Sequence, residues 1–188
     1  HNYNTERLLM VYLSDDSKLG RGTTRTCYQH PENENLCIKV MHSHSKLKIN
    51  FLEFKFYQKL AKKKVPLEHL PQCYGFVETN LGKGLVYERI KSDYADNLEQ
   101  IVKRRLLPKN KIISMLKDLE NYCLDNIISM CDRGLRNIIL SKDKLYYIDG
   151  IITNKKRKSF LYTGLSFLSR RKTRKTIRTM INTLEQEY

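Results

Sequence analysis

No stretch of this chain is apolar for long enough to span a bilayer. The hydrophobic runs are short and broken by charge, well below the ~18 residues a spanning helix needs. The opening residues 1–4 have neither the charged nor the apolar region of a secretory signal, and none is expected there. Paired cysteines are missing too. Cys27, Cys37, Cys73, Cys123 and Cys131 stand singly, an odd total with no CxxC, which argues against a disulfide framework and against a zinc site. Reduced thiols in a reducing cytoplasm are the expectation, with Cys37 and Cys131 acting as small hydrophobes. There are no internal repeats and no low-complexity linker. Acidic residues are scarcest near the end, where none occurs from Gly150 to Leu184.

What is present is an ordinary globular composition on a basic background. The chain has 188 residues, 40% hydrophobic and 29% charged, which suits one domain or two small lobes. Net charge is +15 and the isoelectric point is near 9.6. Lys62, Lys63 and Lys64 form one cationic run, and the acid-free stretch carries Lys155, Lys156, Arg157, Lys158, Arg170, Arg171, Lys172, Arg174, Lys175 and Arg178. Such a field attracts nucleic acid, anionic lipid or phosphorylated ligands. The alternative is a solvated basic face. No nucleic-acid motif stands there, and aromatic interleaving is limited to Phe160, Tyr162 and Phe167.

Periodicity divides the chain in two. Residues 8–18, 24–29 and 36–41 read as strands, with a turn cluster at 30–35 between the last two. Leu47, Phe51, Phe54, Tyr57 and Leu60 then recur at helical spacing and predict a helix over 46–63. Two more strands are predicted over 73–78 and 84–89, giving β-β-β-α-β-β order. Beyond Lys91 the pattern turns helical. A short helix over 97–104 precedes a longer one capped by Asn110 and running to about 125. A loop over 127–137, a strand pair at 138–140 and 145–148, and a helix over 165–185 with Ile177, Met180, Ile181 and Leu184 inward complete it. The expected fold class is α+β, in two lobes: 1–90, with a five-stranded antiparallel sheet and one helix, and 91–188, mostly helical.

Five polar residues stand out against this frame: Lys39, Glu53, Asp132, Asn137 and Asp149, preceded by Gly20 and Gly22. Glycines in Leu19-Gly20-Arg21-Gly22-Thr23 let backbone N–H groups approach phosphate oxygens closely, although a tight hairpin with no ligand needs them equally. Lys39 lies among apolar strand residues, where burial without a partner is costly. Glu53, the sole acid between Lys39 and Glu68, is its expected partner; an ion pair with Lys55 or Lys59 on the helix surface is the alternative. Asp132 and Asn137 are separated by four residues in a loop, and Asp149-Gly150 ends an apolar strand. A turn with Asx capping accounts for the first motif without any ligand, and a simple strand-end turn for the second.

In this order the residues resemble the working parts of protein-kinase-like phosphotransferases. The wording is closer to the YrbL-like family named for the PhoP regulatory network. Leu19 to Arg25, Cys27-Tyr28, His30-Pro31-Glu32-Asn33 and Leu36 to Val40 resemble its N-terminal signature, as do Pro66 to Pro71 and Tyr74 to Gly84. Cys131-Asp132 and Ile148-Asp149-Gly150 are similar to its later motifs. The resemblance implies ATP and Mg²⁺ as cofactors. Gly20, Arg21, Gly22, Lys39 and Glu88 would bind the nucleotide, with Glu53 orienting Lys39; Asn137 and Asp149 would hold metal, and Asp132 would position the acceptor hydroxyl.

Several expected pieces are absent. A third glycine is missing from the loop, Cys131 stands where many protein kinases have arginine, and Asp149 is followed directly by glycine. No Ala-Pro-Glu motif follows, Gly134 carries no charge two residues after Asp132, and a kinase domain usually runs to about 250 residues. The lower lobe is therefore expected to be reduced. Three functions compete: a phosphotransferase whose acceptor is a small molecule or protein, a pseudokinase serving as a regulatory binding module, and a basic polyanion binder. The basic region could also recruit an acidic or phosphorylated partner.

Overall fold

The structure is a computed structural model and describes residues 10–43, 45, 48–151 and 166–188. The basic run 155–158, Phe160, Tyr162 and the expected start of the last helix at Leu165 lie outside the described residues. Contacts divide the chain into two units. One holds the residues up to Phe54 together with Gln72–Arg89; the other holds Lys55–Pro71 and Ile90–Tyr188. The stretch 55–71, expected with the first lobe, thus packs with the second unit.

The first unit is an antiparallel sheet of β1 (Lys18–Arg21), β2 (Arg25–His30), β3 (Asn33–Met41), β4 (Cys73–Thr79) and β5 (Gly82–Glu88), in the order β1-β2-β3-β5-β4. Alternation in β2 and β3 turns Tyr28, Ile38 and Val40 onto a core shared with Leu13, where Val11, Val77 and Val86 pack from the side. The helix α1 (Ile49–Lys62) begins here and continues into the second unit.

One expectation is corrected. Of the strand expected over 8–18, the described residues 10–17 form none: a 3-10 turn occupies Asp15–Ser17 and β1 starts only at Lys18. The Ser-Asp-Asp-Ser sequence favours the turn, because the Ser17 hydroxyl donates to the Ser14 carbonyl at 2.8 Å and competes with ladder bonds. Val11 instead makes an isolated parallel bridge to Thr79.

The second unit contains α2 (Leu98–Lys103), α3 (Lys109–Asp125), the hairpin β6 (Ile138–Ser141) and β7 (Lys144–Tyr147), and α4 (Ser166–Glu187). Asn97 caps α2, its side chain accepting from the Gln100 amide at 3.2 Å. The N-cap of α3 is Pro108, not Asn110, whose side chain instead accepts from the adjacent Lys111 amide at 2.9 Å. Proline has no amide to leave unsatisfied, and its fixed φ, here −59°, leads the chain into the helix. Ile112, Leu116, Leu119 and Cys123 of α3 are fully buried, as are Met180 and Leu184 of α4, and the two helices pack together. Among the described residues, no helix is long and apolar enough to cross a membrane.

Candidate functional site

In the first unit the sheet register brings two cations to one face. Arg25 pairs with Met41 and Cys27 with Lys39 across β2 and β3, so the side chains of Arg25 and Lys39 emerge on the same face. Lys39 is 7% exposed and its Nζ lies 4.9 Å from the centre of the Tyr87 ring, within cation–π range. Glu53, 2% exposed, accepts from the Tyr87 hydroxyl at 2.6 Å. Tyr87 therefore touches both residues that the sequence set against each other.

The ion pair of Glu53 is made with Arg25, itself 5% exposed. Nη1 of Arg25 donates to Glu53 Oε2, and Nη2 donates to Oε1 at 3.2 Å, a two-pronged geometry that suits a planar guanidinium. Nη1 also reaches Asn50 Oδ1 at 3.0 Å, and the Asn50 amide donates to the Lys39 carbonyl at 2.7 Å. Sequence reasoning gave Arg25 no role. A signal was available: in a Gly-x-Gly-x-x-Gly pattern starting at Gly20, the third glycine position is Arg25.

Gly20 and Arg21 lie in β1, opposite Cys27 and Thr26, and the Gly22 amide donates to the Arg25 carbonyl at 2.9 Å. A side chain at position 20 would meet nothing within 4 Å, and one at 22 would make only an ordinary 3.5 Å contact. Nothing in the surrounding chain requires glycine at either position. Glu88, at the end of β5, is exposed and accepts from the Gln72 amide at 3.1 Å.

In the second unit, three of the singled-out residues are tied into one body. The amides of Cys131 and Asp132 donate to the Gly150 carbonyl at 3.1 and 3.2 Å. The Tyr147 hydroxyl receives the Asp132 amide and donates to the Asp132 carbonyl, both at 3.1 Å. Ile148 donates its amide to the Asn137 carbonyl at 2.9 Å, which joins Asn137 to the strand leading to Asp149. Burial raises the Tyr147 phenol well above its ordinary pKa, so this bridge stays protonated.

Gly150 has φ +97°, and a Cβ there would lie 2.5 Å from both Asp132 Cβ and the Tyr147 hydroxyl. Only glycine allows the two aspartates' backbones this approach. The Asp132 carboxylate accepts from the Gly134 amide at 2.9 Å and has Arg136 at 4.0 Å. Asp149 Oδ1 accepts from the Gly150 amide at 2.8 Å.

The loop is held from behind by α4. Thr173 Oγ1 donates to the Ile128 carbonyl at 2.8 Å and accepts from the Met130 amide at 3.2 Å, and Thr176 Oγ1 donates to the Met130 carbonyl at 2.8 Å. Both threonines are fully buried. Cys131 follows directly, its thiol pKa raised chiefly by burial. The second unit also has a cavity of about 310 Å³ lined by Glu68, His69, Asp118, Tyr122 and Asp125 among others; none of the expected nucleotide, metal or catalytic residues lines it.

Comparison with known proteins gives the family and the fold. The family described as "PhoP regulatory network protein YrbL" matches residues 11–185. The chain is 30% identical over 138 residues to "Uncharacterized protein YrbL" of Escherichia coli (strain K12), and equally to the protein of that name in Shigella flexneri. The match covers 69% of this chain, and the chain spans 65% of the length of these curated relatives. The crystal structure of a mutant form of the Mycobacterium tuberculosis PknI kinase domain superposes with a TM-score of 0.62 at 14% identity, over 89% of this chain and 70% of that one. The fold is thus that of a protein-kinase domain, and the chain belongs to the YrbL family of PhoP regulatory network proteins.

Proposed function

We propose that the chain is an ATP- and Mg²⁺-dependent phosphotransferase of the protein-kinase-like superfamily, working in a bacterial regulatory network, with a small molecule or a protein as acceptor. The observation that carries this reading is the Tyr147 and Gly150 bridge, which fixes the Asp132 loop to the backbone beside Asp149. A reaction that runs by positioning and charge neutralisation needs its groups held this way. Asp132 would accept the proton of the acceptor hydroxyl as the oxygen attacks the γ-phosphorus, and the nucleoside diphosphate would leave.

The donor chemistry fits the implied metal. Asn137 and Asp149 offer hard oxygens, and among the described residues no group of three His, Cys, Asp or Glu side chains is arranged to hold an ion. Mg²⁺ commonly takes only one or two protein oxygens and fills its shell with water and substrate phosphates. Bound there, it would neutralise phosphate charge. Lys39 would contact phosphate, and the uncrowded Gly20 and Gly22 would let phosphate oxygens approach the backbone, the Gly22 amide exchanging its bond to the Arg25 carbonyl.

The test is calorimetric titration of ATP, with and without Mg²⁺, into wild-type protein and an Asp149→Ala variant, followed by γ-phosphate transfer assays on wild type and Asp132→Asn. Metal-dependent binding lost in Asp149→Ala, and transfer lost in Asp132→Asn with binding kept, would support the reading. Undiminished transfer by Asp132→Asn would sink it.

One observation favours a second reading, a regulatory binding module without catalysis. The Glu53 carboxylate holds Arg25 in a two-pronged ion pair, a partner the phosphotransfer role does not call for. This reading expects weak nucleotide binding or none, and no transfer.

A further inference from the structure

We propose that the exposed face of α4 is a binding track for single-stranded nucleic acid. Arg170, Arg171, Arg174, Lys175 and Arg178 are all exposed, and their spacing keeps them on one side of the helix over about 12 Å of its length. The opposite side is committed to the protein, with Thr173, Thr176, Ile177, Met180 and Leu184 buried.

Folding alone gives no reason for this face. Arg170 with Arg174, Arg174 with Arg178, and Arg171 with Lys175 are like charges four apart, which oppose helix formation. The first turn of α4 has no acid and the last turn has no base, so neither end is arranged to complement the helix dipole. Among the described residues, none of the five cations has a carboxylate within ion-pair distance. Solvated helix faces usually intersperse the two signs; this one is built of one. A polyanion laid along it would offset the repulsion.

The kind of polyanion follows from a second feature. Phe167, 73% exposed, lies three and four residues before Arg170 and Arg171, at the head of the same face. A cationic track with an exposed ring is how proteins hold single strands: phosphates run along the charges and a base stacks on the aromatic. Four of the five cations are arginine, whose planar fork binds phosphate with two bonds. An anionic membrane fits less well, because a surface-binding helix submerges its apolar stripe, and in α4 that stripe is buried against protein.

The test is fluorescence anisotropy with a labelled 20-nucleotide single-stranded RNA across a salt series. Wild type should bind with steep salt dependence. The triple variant Arg171→Gln, Arg174→Gln, Arg178→Gln should lower the slope of log affinity against log salt by about 2. Phe167→Ala should weaken binding about tenfold at unchanged slope. A control triple, Lys62→Gln, Lys63→Gln, Lys64→Gln, removes the same charge elsewhere and should leave affinity within about twofold of wild type by this mechanism. Ultraviolet cross-linking of the unaltered protein should label the α4 peptide. Equal losses from both triples, cross-links confined to other peptides, or no binding at low salt would overturn the proposal. So would binding to phosphatidylserine vesicles that excess RNA fails to displace.

Discussion

Arg25 closes on Glu53 as a buried, two-pronged ion pair, and the Tyr87 hydroxyl donates to the same carboxylate oxygen, Oε2, that Arg25 Nη1 reaches. Removing one member of such a pair leaves the other charged and out of water. Arg25→Met should therefore cost about 3–5 kcal/mol in urea unfolding, and pairing it with Glu53→Leu should recover most of that. An Arg25→Met protein as stable as wild type would show that the carboxylate finds another cation at no cost.

Gly150→Ala tests the bridge between the two aspartate motifs. The added methyl meets Asp132 Cβ and the Tyr147 hydroxyl at 2.5 Å, on a backbone with φ +97°. Strain and overpacking together should cost at least about 2 kcal/mol. In a phosphotransferase, activity should fall further than stability does, because the Asp132 loop must shift.

Tyr147→Phe removes a single oxygen that serves both the amide and the carbonyl of Asp132. The Asp132 amide keeps the Gly150 carbonyl, but the Asp132 carbonyl loses this donor, and unfolding should be easier by about 1–3 kcal/mol. If the proposed chemistry holds, kcat should drop while the KM for ATP stays near wild type.

Thr173→Val keeps the shape of the side chain and deletes the hydroxyl that bonds Ile128 and Met130. A loss of about 1–3 kcal/mol is expected. Thr179→Val provides the comparison, since that hydroxyl caps nothing beyond the exposed Lys175 carbonyl of its own helix.

Acidity should loosen the second unit through His69. Burial is the main cause of its lowered pKa; the Leu145 carbonyl, which takes the Nδ1 proton at 2.7 Å, and the charges of Glu68 and Asp118 oppose the shift, while Lys144 adds to it. At neutral pH the ring is neutral in both states. Below its ordinary value of about 6.5 the unfolded chain takes up a proton first, so stability falls as pH drops towards the lower folded value. Urea midpoints at pH 7.5 and 5.5 should differ less for His69→Asn than for wild type.

The sheet and helices were legible because their apolar periods are long and regular, as in Tyr28, Ile38 and Val40 or in Ile112, Leu116 and Leu119. Residues 8–18 misled because Val11 and Leu13 read as strand, whereas the local hydroxyl bond at Ser17 decides the backbone. The order of Lys39, Glu53, Asp132, Asn137 and Asp149 pointed to the fold. That Arg25 would meet Glu53 was not legible, because the contact depends on a strand register that puts position 25 on the same sheet face as Lys39. Tyr147 was equally hidden, since its role rests on a hydroxyl spanning 15 positions of sequence.

Thr173 and Thr176 grasp the chain at 128–130 only by its peptide groups. A fastening of that kind is indifferent to which side chains the fastened segment carries. The path of this loop and its chemical identity are thereby uncoupled. A change of side chain at Cys131 leaves these three hydrogen bonds in place, whereas loss of either threonine hydroxyl does not.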